Sequence, residues 1–454
     1  MKSLVHDKPI KAILLFAIPL YIGQLFSLCY GLIDIRIIGR FLGDASLAAV
    51  GATTALSDLL MEFEGGIVCG FGIIIAKQFG ANNNSRMKRA IGGTVFLSIT
   101  LTIFISAICL IFMPYILSFL NISEELRPEA ASYITIVVAG MIASVLYTIC
   151  ATILRAIGDS FTPLIFLIIS NILNIFLDIF LVVNLNMGVT GAALATVLTQ
   201  ALSALLCFIY MRKKYPQIVL KLSDLKPKKD IYKELLPNGL SMGFMLSFVL
   251  LGSLALQTAI NALGFDIIVA HTAARKATMI FLIPLFVLGS ALATFCGQNL
   301  GAKEYRRIRE GIKGTVLISS IWCIASLVII FTLAPTLVNL ITASTQPNVI
   351  TNATLYLKVN SIFYILPAII CILRNSMQGF GDTKTPLVSS FIELAGKVII
   401  AFLLVPAMRY MGVIVSEPIV WAVMVIPLLI SIRRNPMLKS SKNADGLLLN
   451  NLNT

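Results

Sequence analysis

A polar stripe lies inside one long apolar segment of the chain. The segment runs from Pro163 to Val183, and a helix needs roughly 20 apolar residues to cross the core of a bilayer. Asn171, Asn174 and Asp178 are spaced i, i+3 and i+7, so a helix places them on one face. A carboxylate in the middle of a span costs on the order of 2.5–3.5 kcal/mol on insertion scales. We therefore expect the stripe to carry a function, or to form a hydrogen-bond network that joins helices.

The composition around this stripe is that of a polytopic membrane protein. Of the 454 residues, 58% are hydrophobic and only 12% are charged, whereas soluble domains carry about 25% charged residues. The first apolar run, from Ile10 past Cys29, is too long for a cleaved signal sequence and predicts a first transmembrane helix. Hydropathy predicts twelve spans, at roughly 11–34, 46–74, 90–113, 131–154, 162–184, 189–211, 233–260, 266–295, 312–334, 353–377, 385–407 and 412–432.

The net charge of +14 is better explained by membrane topology than by nucleic-acid binding. The predicted loops form two alternating sets, and the set that includes both chain ends carries 27 lysines and arginines. The other set carries four, namely Arg36, Arg40, Arg127 and Arg409. This asymmetry follows the positive-inside rule and predicts that both termini are cytoplasmic.

The signatures of a metal site or an enzyme are missing from the sequence. The eight cysteines are scattered singly without a CxxC motif, and the two histidines, His6 and His271, are far apart. HExxH and GxxxxGK[ST] motifs are also absent. We expect a protein that is not an enzyme and has no cofactor or nucleic-acid partner, with an intramembrane enzyme as the weaker alternative.

An internal repeat divides the chain into two similar halves. Gly158-Asp-Ser-Phe-Thr-Pro-Leu164 recurs as Gly381-Asp-Thr-Lys-Thr-Pro-Leu387, 223 residues later, and two further motifs recur in the same order at nearly the same spacing. The predicted fold is therefore all-α, with two six-helix lobes related by a pseudo-two-fold axis along the membrane normal. Such lobes suit alternating-access transport. In the repeated turn, Asp159 and Asp382 are expected to cap the helix that follows.

The domain boundaries are placed by the long basic loop near the middle of the chain. We predict an N-terminal lobe over residues 1–215, a cytoplasmic interlobe loop over 216–232 and a C-terminal lobe over 233–434. The remaining tail, 435–454, is rich in Asn and Ser and is predicted to be disordered.

Several motifs resemble the prokaryotic type of multidrug and toxic compound extrusion (MATE) transporters. They are Tyr30-Gly-Leu-Ile-Asp34, Leu47-Ala-Ala-Val-Gly51, Gly158-Asp159, Asn174-x-x-x-Asp178, Gly191-Ala-Ala-Leu-Ala-Thr196 and Gln298-Asn-Leu-Gly-Ala302. The resemblance implies a secondary active antiporter in a prokaryotic plasma membrane, which exports organic, often cationic compounds such as drugs in exchange for H+ or Na+. The implied partners are small organic substrates and membrane lipids, and we expect a monomer.

The resemblance also implies a cation-coupling site in the N-terminal lobe. The residues that match the family motifs are Asp34, Asn174, Asp178 and Thr196. Two carboxylates near one point in a low dielectric cannot both stay ionised cheaply, so the pair would share a proton or bind Na+. The alternative is a hydrogen-bond network that only holds the helices together.

The second half lacks this set of residues. At the repeat offsets, Asn174 corresponds to Lys397, and the other three positions correspond to Ala255, Ala401 and Val420. Lys397 follows Glu393 by four residues, which favours an ion pair on one helix. We therefore expect a single coupling site, in the first half.

Three acidic residues of the second span, Asp58, Glu62 and Glu64, depart from the family pattern. Asp58 and Glu62 are spaced i, i+4 and repel each other, so at least one of the three is a candidate for binding a cationic substrate. The alternative is an ion pair with Arg275 or Lys276. Basic residues within spans also leave open a second function, a flippase for a lipid-linked saccharide or other amphiphile.

Overall fold

The computed structural model describes residues 4–220, 224, 229–342 and 346–435. The predicted disordered tail lies beyond these residues, apart from Asn435, and the predicted interlobe loop lies partly outside them. The helices are α1 Pro9–Gly80, α2 Asn84–Ile111, α3 Met113–Phe119, α4 Arg127–Ala139, α5 Met141–Ala156, α6 Phe161–Asp178, α7 Gly188–Lys214, α8 Lys229–Asn261, α9 Phe265–Gly301, α10 Tyr305–Thr342, α11 Pro347–Ile362, α12 Ile365–Gly379, α13 Lys384–Ile399, α14 Val405–Met408 and α15 Tyr410–Arg434.

Each of the twelve predicted spans falls on helical residues. Ten helical stretches of the described chain are long and apolar enough to cross a membrane. One of them, α1, has 72 residues and contains the first two predicted spans, separated by non-helical backbone at Gly43. The tenth predicted span corresponds to α11 and α12, which are bent by 55° relative to each other. Several helices run past their predicted ends, because hydropathy marks the apolar centre of a helix and not its polar ends.

The helices form two compact units, which we call the first unit (Ile18–Gly243) and the second unit (Leu4–Ala17 with Phe244 onward). The division therefore falls inside α1 and α8, whereas the sequence placed it at the loop 216–232. Packing within each unit explains the difference. A Cβ atom at Gly93 would lie 2.8 Å from Leu235 in the first unit, so the start of α8 belongs to that unit.

Glycines allow α1 and α8 to pack closely within the first unit. A Cβ atom at Gly66 would lie 2.8 Å from the carbonyl oxygen of Met242, and one at Gly243 would lie 2.9 Å from that of Phe63. A Cβ atom at Gly70 would meet the backbone of Asn238. Gly66/Gly70 and Gly239/Gly243 have GxxxG spacing, which allows helix backbones to approach in this way.

The repeated Gly-Asp-x-x-Thr-Pro turns have the same geometry in both halves. Asp159 accepts hydrogen bonds from the Thr162 backbone N–H at 3.0 Å and from its hydroxyl at 2.7 Å. Asp382 accepts the equivalent bonds from Thr385 at 3.1 and 2.7 Å. Burial and the nearby Asp159 raise the pKa of Tyr215, which donates to Asp159 at 2.8 Å. The predicted capping role of both aspartates is confirmed.

A π-helical segment occurs at a similar position in each half. Ile179–Asn184 follows α6, and Ile400–Leu404 follows α13. Short π segments within α-helices are rare and often lie at functional sites. The first of them begins directly after Asp178, so the regular helix ends at the last residue of the polar stripe.

Candidate functional site

The polar stripe of α6 is the buried face of that helix. Asn174 is 2% exposed and Asp178 is 0% exposed, whereas Phe176 on the opposite face is 66% exposed. Asn171 and Ser170 are also buried. The spacing in the sequence therefore predicted the inward face of α6 correctly.

Asp34 of α1 lies beside Asp178 of α6. Their carboxyl groups are close enough to interact electrostatically. Among the described residues, both carboxyl oxygens of Asp178 and Oδ1 of Asp34 lack a hydrogen-bond partner. Burial of an ionised group is costly unless another charge or hydrogen bonds compensate it. The pair can meet this requirement by binding a proton or a cation.

Neutral oxygen-bearing side chains surround this carboxyl pair. The phenol of Tyr30 donates to Oδ1 of Asn174 at 2.5 Å, and Nδ2 of Asn174 donates to the Thr199 hydroxyl at 3.4 Å. Thr196 interacts with Tyr30. The structure thus brings the four sequence-predicted residues together in the first unit.

Sequence reasoning missed Tyr30 and Thr199 as members of this site. Tyr30 precedes Asp34 by four residues, and Thr199 follows Thr196 by three. Residues at these spacings share a helical face. This spacing was the available signal, because it places each missed residue on the face of a predicted one.

The three acidic residues near the middle of α1 lie in two different environments. Asp58 and Glu62 are exposed and interact with each other electrostatically. Glu64 is only 2% exposed and accepts a hydrogen bond from the Thr102 hydroxyl at 3.0 Å. Glu64 therefore packs inside the first unit, and only Asp58 and Glu62 share an open face.

A buried network of charges occupies the second unit. The Lys397 ammonium lies 3.0 Å from the Glu393 carboxylate and 3.4 Å from that of Glu417. Arg275 pairs with Glu417 at 3.0 Å, and Arg374 lies 3.6 Å from Glu393. The predicted pair between Glu393 and Lys397 is confirmed. Arg275 thus has a carboxylate partner, Glu417, in its own unit. Its charge is therefore balanced without the alternative ion pair to an acidic residue of the second span.

Two members of the network were not anticipated. Arg374 lies inside the tenth predicted span and near the end of α12, and its side chain is buried. Glu417 is the one charged residue between Gly412 and Ile432. An isolated carboxylate in a span needs a buried cation, and this was the signal available for Glu417.

The sequence of the chain matches the family model described as MatE over residues 19–180 and 242–403, more than half of its length. The chain belongs to this family of MATE transporters. The two matches start 223 residues apart, the same offset as the repeated turn, so the internal repeat is confirmed. The chain is accordingly a multi-pass membrane transporter and not an enzyme.

Bacterial relatives of this MATE chain match it along most of its length. The probable multidrug resistance protein YoeA of Bacillus subtilis (strain 168) is 28% identical over 419 residues, 90% of each chain. The probable multidrug resistance protein NorM of Thermotoga maritima is 23% identical over 87% of this chain and 85% of its own. The multidrug export protein MepA of Staphylococcus haemolyticus is 24% identical, with 87% and 86% covered.

Solved MATE structures have the same fold. An outward-facing multidrug resistance MATE family transporter aligns with a TM-score of 0.89 and 23% identity over 97% of this chain and 99% of its own. A MATE crystal structure in the bent conformation aligns with a TM-score of 0.87 and 22% identity over 95% and 97%. The predicted all-α transporter fold is confirmed, and these comparisons do not favour the alternative of a lipid-linked saccharide flippase.

Proposed function

We propose that this chain is a secondary active antiporter that exports small organic compounds, including drugs, in exchange for H+ or Na+. The observation that carries the proposal is the buried Asp178 carboxyl group, which lies beside Asp34 without a hydrogen-bond donor among the described residues. The names of YoeA, NorM and MepA support drug export as the activity.

The proposed coupling depends on the two helices that carry the carboxyl groups. When no ion is bound, two carboxylates repel each other in a low dielectric. A bound proton or cation removes this repulsion and allows Asp34 of α1 to stay beside Asp178 of α6. Coupling follows if the ion and the exported compound favour different conformations, because a ligand shifts an equilibrium only by its differential affinity.

The same residues can serve either ion. A proton bound to one carboxyl group would be shared with the other. Na+, as a transported ion, would be bound by Asp34 and Asp178, with oxygens of Asn174 and Thr196 as further ligands. Tyr30 and Thr199 hold the Asn174 amide and so would orient its oxygen.

The proposed topology rests on the distribution of positive charge. The excess of lysine and arginine in one set of loops supports a topology with both termini in the cytoplasm of a prokaryotic cell. The chain would then take its compounds from the cytoplasm or the inner leaflet of the plasma membrane. We propose that it works as a monomer among membrane lipids.

The test is efflux of a fluorescent organic cation from proteoliposomes, with pH and Na+ gradients imposed separately. One of the two gradients should drive efflux by the native chain. Asp178→Asn should abolish the gradient-driven part, because it removes the fully buried carboxylate of the pair.

A matched control is available on α1. Asp44 is exposed, and Asp44→Asn removes the same charge away from the site, so it should leave efflux unchanged. Normal gradient-driven efflux by a well-expressed Asp178→Asn variant would disprove the proposed coupling site.

We also propose that Asp58 and Glu62 favour cationic compounds. Their exposed carboxylates lie close together, so a positively charged substrate would relieve their mutual repulsion. Glu64 was the third acidic candidate of the second predicted span. Its burial against Thr102 favours a structural role for that residue.

Single neutralisations distinguish these roles. Asp58→Asn and Glu62→Gln should slow efflux of a cationic substrate more than efflux of a neutral one. Glu64→Gln should lower thermal stability and affect both substrates alike. Equal loss on both substrates for Asp58→Asn and Glu62→Gln would contradict a cation-attracting role.

A further inference from the structure

The second unit contains a cavity of about 290 Å³ that is lined by both polar and apolar side chains. Its polar lining includes Ser253, Gln257, His271, Thr272, Arg275 and Lys276. Leucine and isoleucine side chains of α8 form the apolar part. Ligand pockets typically measure about 300–1,000 Å³, so this cavity fits a small compound or one end of a larger one.

The charge at this cavity is positive. Glu417 also lines it, but its carboxylate is paired with Arg275 at 3.0 Å and with Lys397 at 3.4 Å. The whole buried network contains three cations and two carboxylates. Lys276 adds a further positive charge, since it is exposed and has no ion pair within the described residues. The cavity is thus left with two uncompensated positive charges nearby.

Further hydrogen-bonding groups are available at the same place. His271 is 4% exposed, and its Nδ1 atom has no hydrogen-bond partner among the described residues. A guanidinium carries five N–H donors, so Arg275 can bind Glu417 and a ligand together. An unpartnered polar atom at the wall of a cavity indicates that a ligand or a water completes its hydrogen bonding.

We propose that this cavity binds the carboxylate of a small organic acid or zwitterion, with Arg275 and Lys276 supplying the charge and the leucine and isoleucine side chains packing on the carbon skeleton. The proposal rests on the proposed export of small organic compounds and names a substrate class beyond the cationic one. The second half thereby differs from the first in the charge it accepts. In the repeat, Lys397 corresponds to Asn174 of the first half, and it keeps Glu417 neutralised.

The test is equilibrium binding to the full-length chain in nanodiscs of phosphatidylcholine, without any ion gradient. The probes are naphthalene-2-carboxylate and its primary amide, which share a skeleton and differ in charge. The acid should bind at least tenfold more tightly than the amide. Lys276→Gln should lower the affinity for the acid by about tenfold, as expected for the loss of a hydrogen bond to a charged group. It should leave the affinity for the amide unchanged. Lys276→Arg should restore binding of the acid.

Lys358→Gln is the matched control, because Lys358 belongs to the same unit, packs on the Phe331 ring and does not line the cavity. It should leave both affinities unchanged. The proposal is overturned if the acid and the amide bind with equal affinity. It is also overturned if Lys276→Gln and Lys358→Gln lower the affinity for the acid equally. Because Lys276 is exposed, its substitution should not impair folding, and Lys276→Glu provides a second variant that should abolish binding of the acid.

A final arm separates a small acid from an acidic lipid headgroup. The measurement is repeated in nanodiscs that contain phosphatidylglycerol, where the affinity for the acid should stay the same. A loss that depends on the acidic lipid would overturn the proposal in favour of a lipid site. No gradient is used in this binding experiment. A negative result here would therefore not contradict ion coupling at Asp34 and Asp178. In the same way, a failure of gradient-driven efflux would not contradict binding of the acid.

Discussion

Tyr30 of α1 donates a 2.5 Å hydrogen bond to the side-chain oxygen of Asn174 of α6. This bond joins the two helices that also carry the carboxyl pair, Asp34 and Asp178. The amide nitrogen of Asn174 donates a hydrogen bond to the hydroxyl of Thr199 on α7, at 3.4 Å. The amide therefore has one fixed orientation, in which both of its polar atoms are satisfied by neutral partners.

Tyr30→Phe should weaken binding of the coupling ion. The change removes one hydrogen bond, worth about 0.5–1.5 kcal/mol, and lets the Asn174 amide turn away from the carboxyl pair. We expect the apparent affinity for the coupling ion to fall by about 2–10-fold with normal expression. Initial efflux rates at a series of pH values and Na+ concentrations measure this affinity.

Tyr115→Phe is the control, since Tyr115 is 74% exposed on α3 and should tolerate the change. An unchanged ion dependence in Tyr30→Phe would show that the hydrogen bond to Asn174 does not contribute to ion binding.

Much of the fold could be predicted from the sequence. Spans are long apolar runs, and the repeated turns place residues such as Asp159 and Asp382 at equivalent points in two halves. The division into units could not be predicted, because it depends on which helices the ends of α1 and α8 pack against. Hydropathy contains no such information, and only contacts such as Gly93 with Leu235 show it.

The site was predictable where a polar residue interrupts an apolar face. Asn174 and Asp178 stand out in this way, and so does Lys397 with Glu393. Thr199 does not stand out, because a threonine in a span commonly bonds to its own helix, as it also does here to Ala195 at 2.8 Å. Its second role with Asn174 depends on the packing of α6 against α7.

Glu393→Gln should destabilise the chain without abolishing ion coupling. Glu393 neutralises Lys397 at 3.0 Å and Arg374 at 3.6 Å, and breaking a buried pair costs about 3–5 kcal/mol. We expect a clear drop in melting temperature and in expression. The folded fraction should keep its gradient-dependent efflux, because Glu393 is not a member of the carboxyl pair proposed to bind the ion.

Two further variants test this explanation. Glu310→Gln breaks a surface pair with Arg306, 2.8 Å apart, in which the two side chains are 47% and 83% exposed, so it should change the melting temperature very little. The double variant Glu393→Gln/Lys397→Met restores the charge balance and should recover part of the lost stability. No difference between Glu393→Gln and Glu310→Gln would contradict the assigned importance of the network.

Gly70→Ala should destabilise the first unit. A Cβ atom at this position would meet the backbone of Asn238 in α8, which cannot rotate away as a side chain can. Overpacking of this kind typically costs about 1–3 kcal/mol. Thermal unfolding in detergent, followed by size-exclusion chromatography, measures the effect.

Gly65→Ala is a close control on the same helix. A Cβ atom there has no heavy atom within 4 Å, and alanine favours a helix over glycine by about 0.5–1 kcal/mol. Gly65→Ala should therefore leave the melting temperature unchanged or raise it. Equal melting temperatures for the two variants would show that α1 and α8 do not depend on the close approach.

Thr199→Val should act on the coupling site through Asn174. The change keeps the shape of the side chain and removes the hydroxyl that accepts from the Asn174 amide. We expect the apparent ion affinity to fall by a few-fold, about the value of one neutral hydrogen bond, while Thr199→Ser should behave as the native chain. Thr54→Val is a suitable control, since the Thr54 hydroxyl donates to the Val50 carbonyl of its own helix at 3.1 Å.

The double variant Tyr30→Phe/Thr199→Val shows whether the two bonds act through one group. Both hold the same amide, so once either is lost the second contributes less to orienting the Asn174 oxygen. Changes at groups that share a partner are not additive, and we expect the loss of ion affinity in the double variant to be smaller than the combined losses of the single variants. Strictly additive losses, measured as ion-dependent initial efflux rates, would show that Tyr30 and Thr199 act independently and that Asn174 is not the ligand they position.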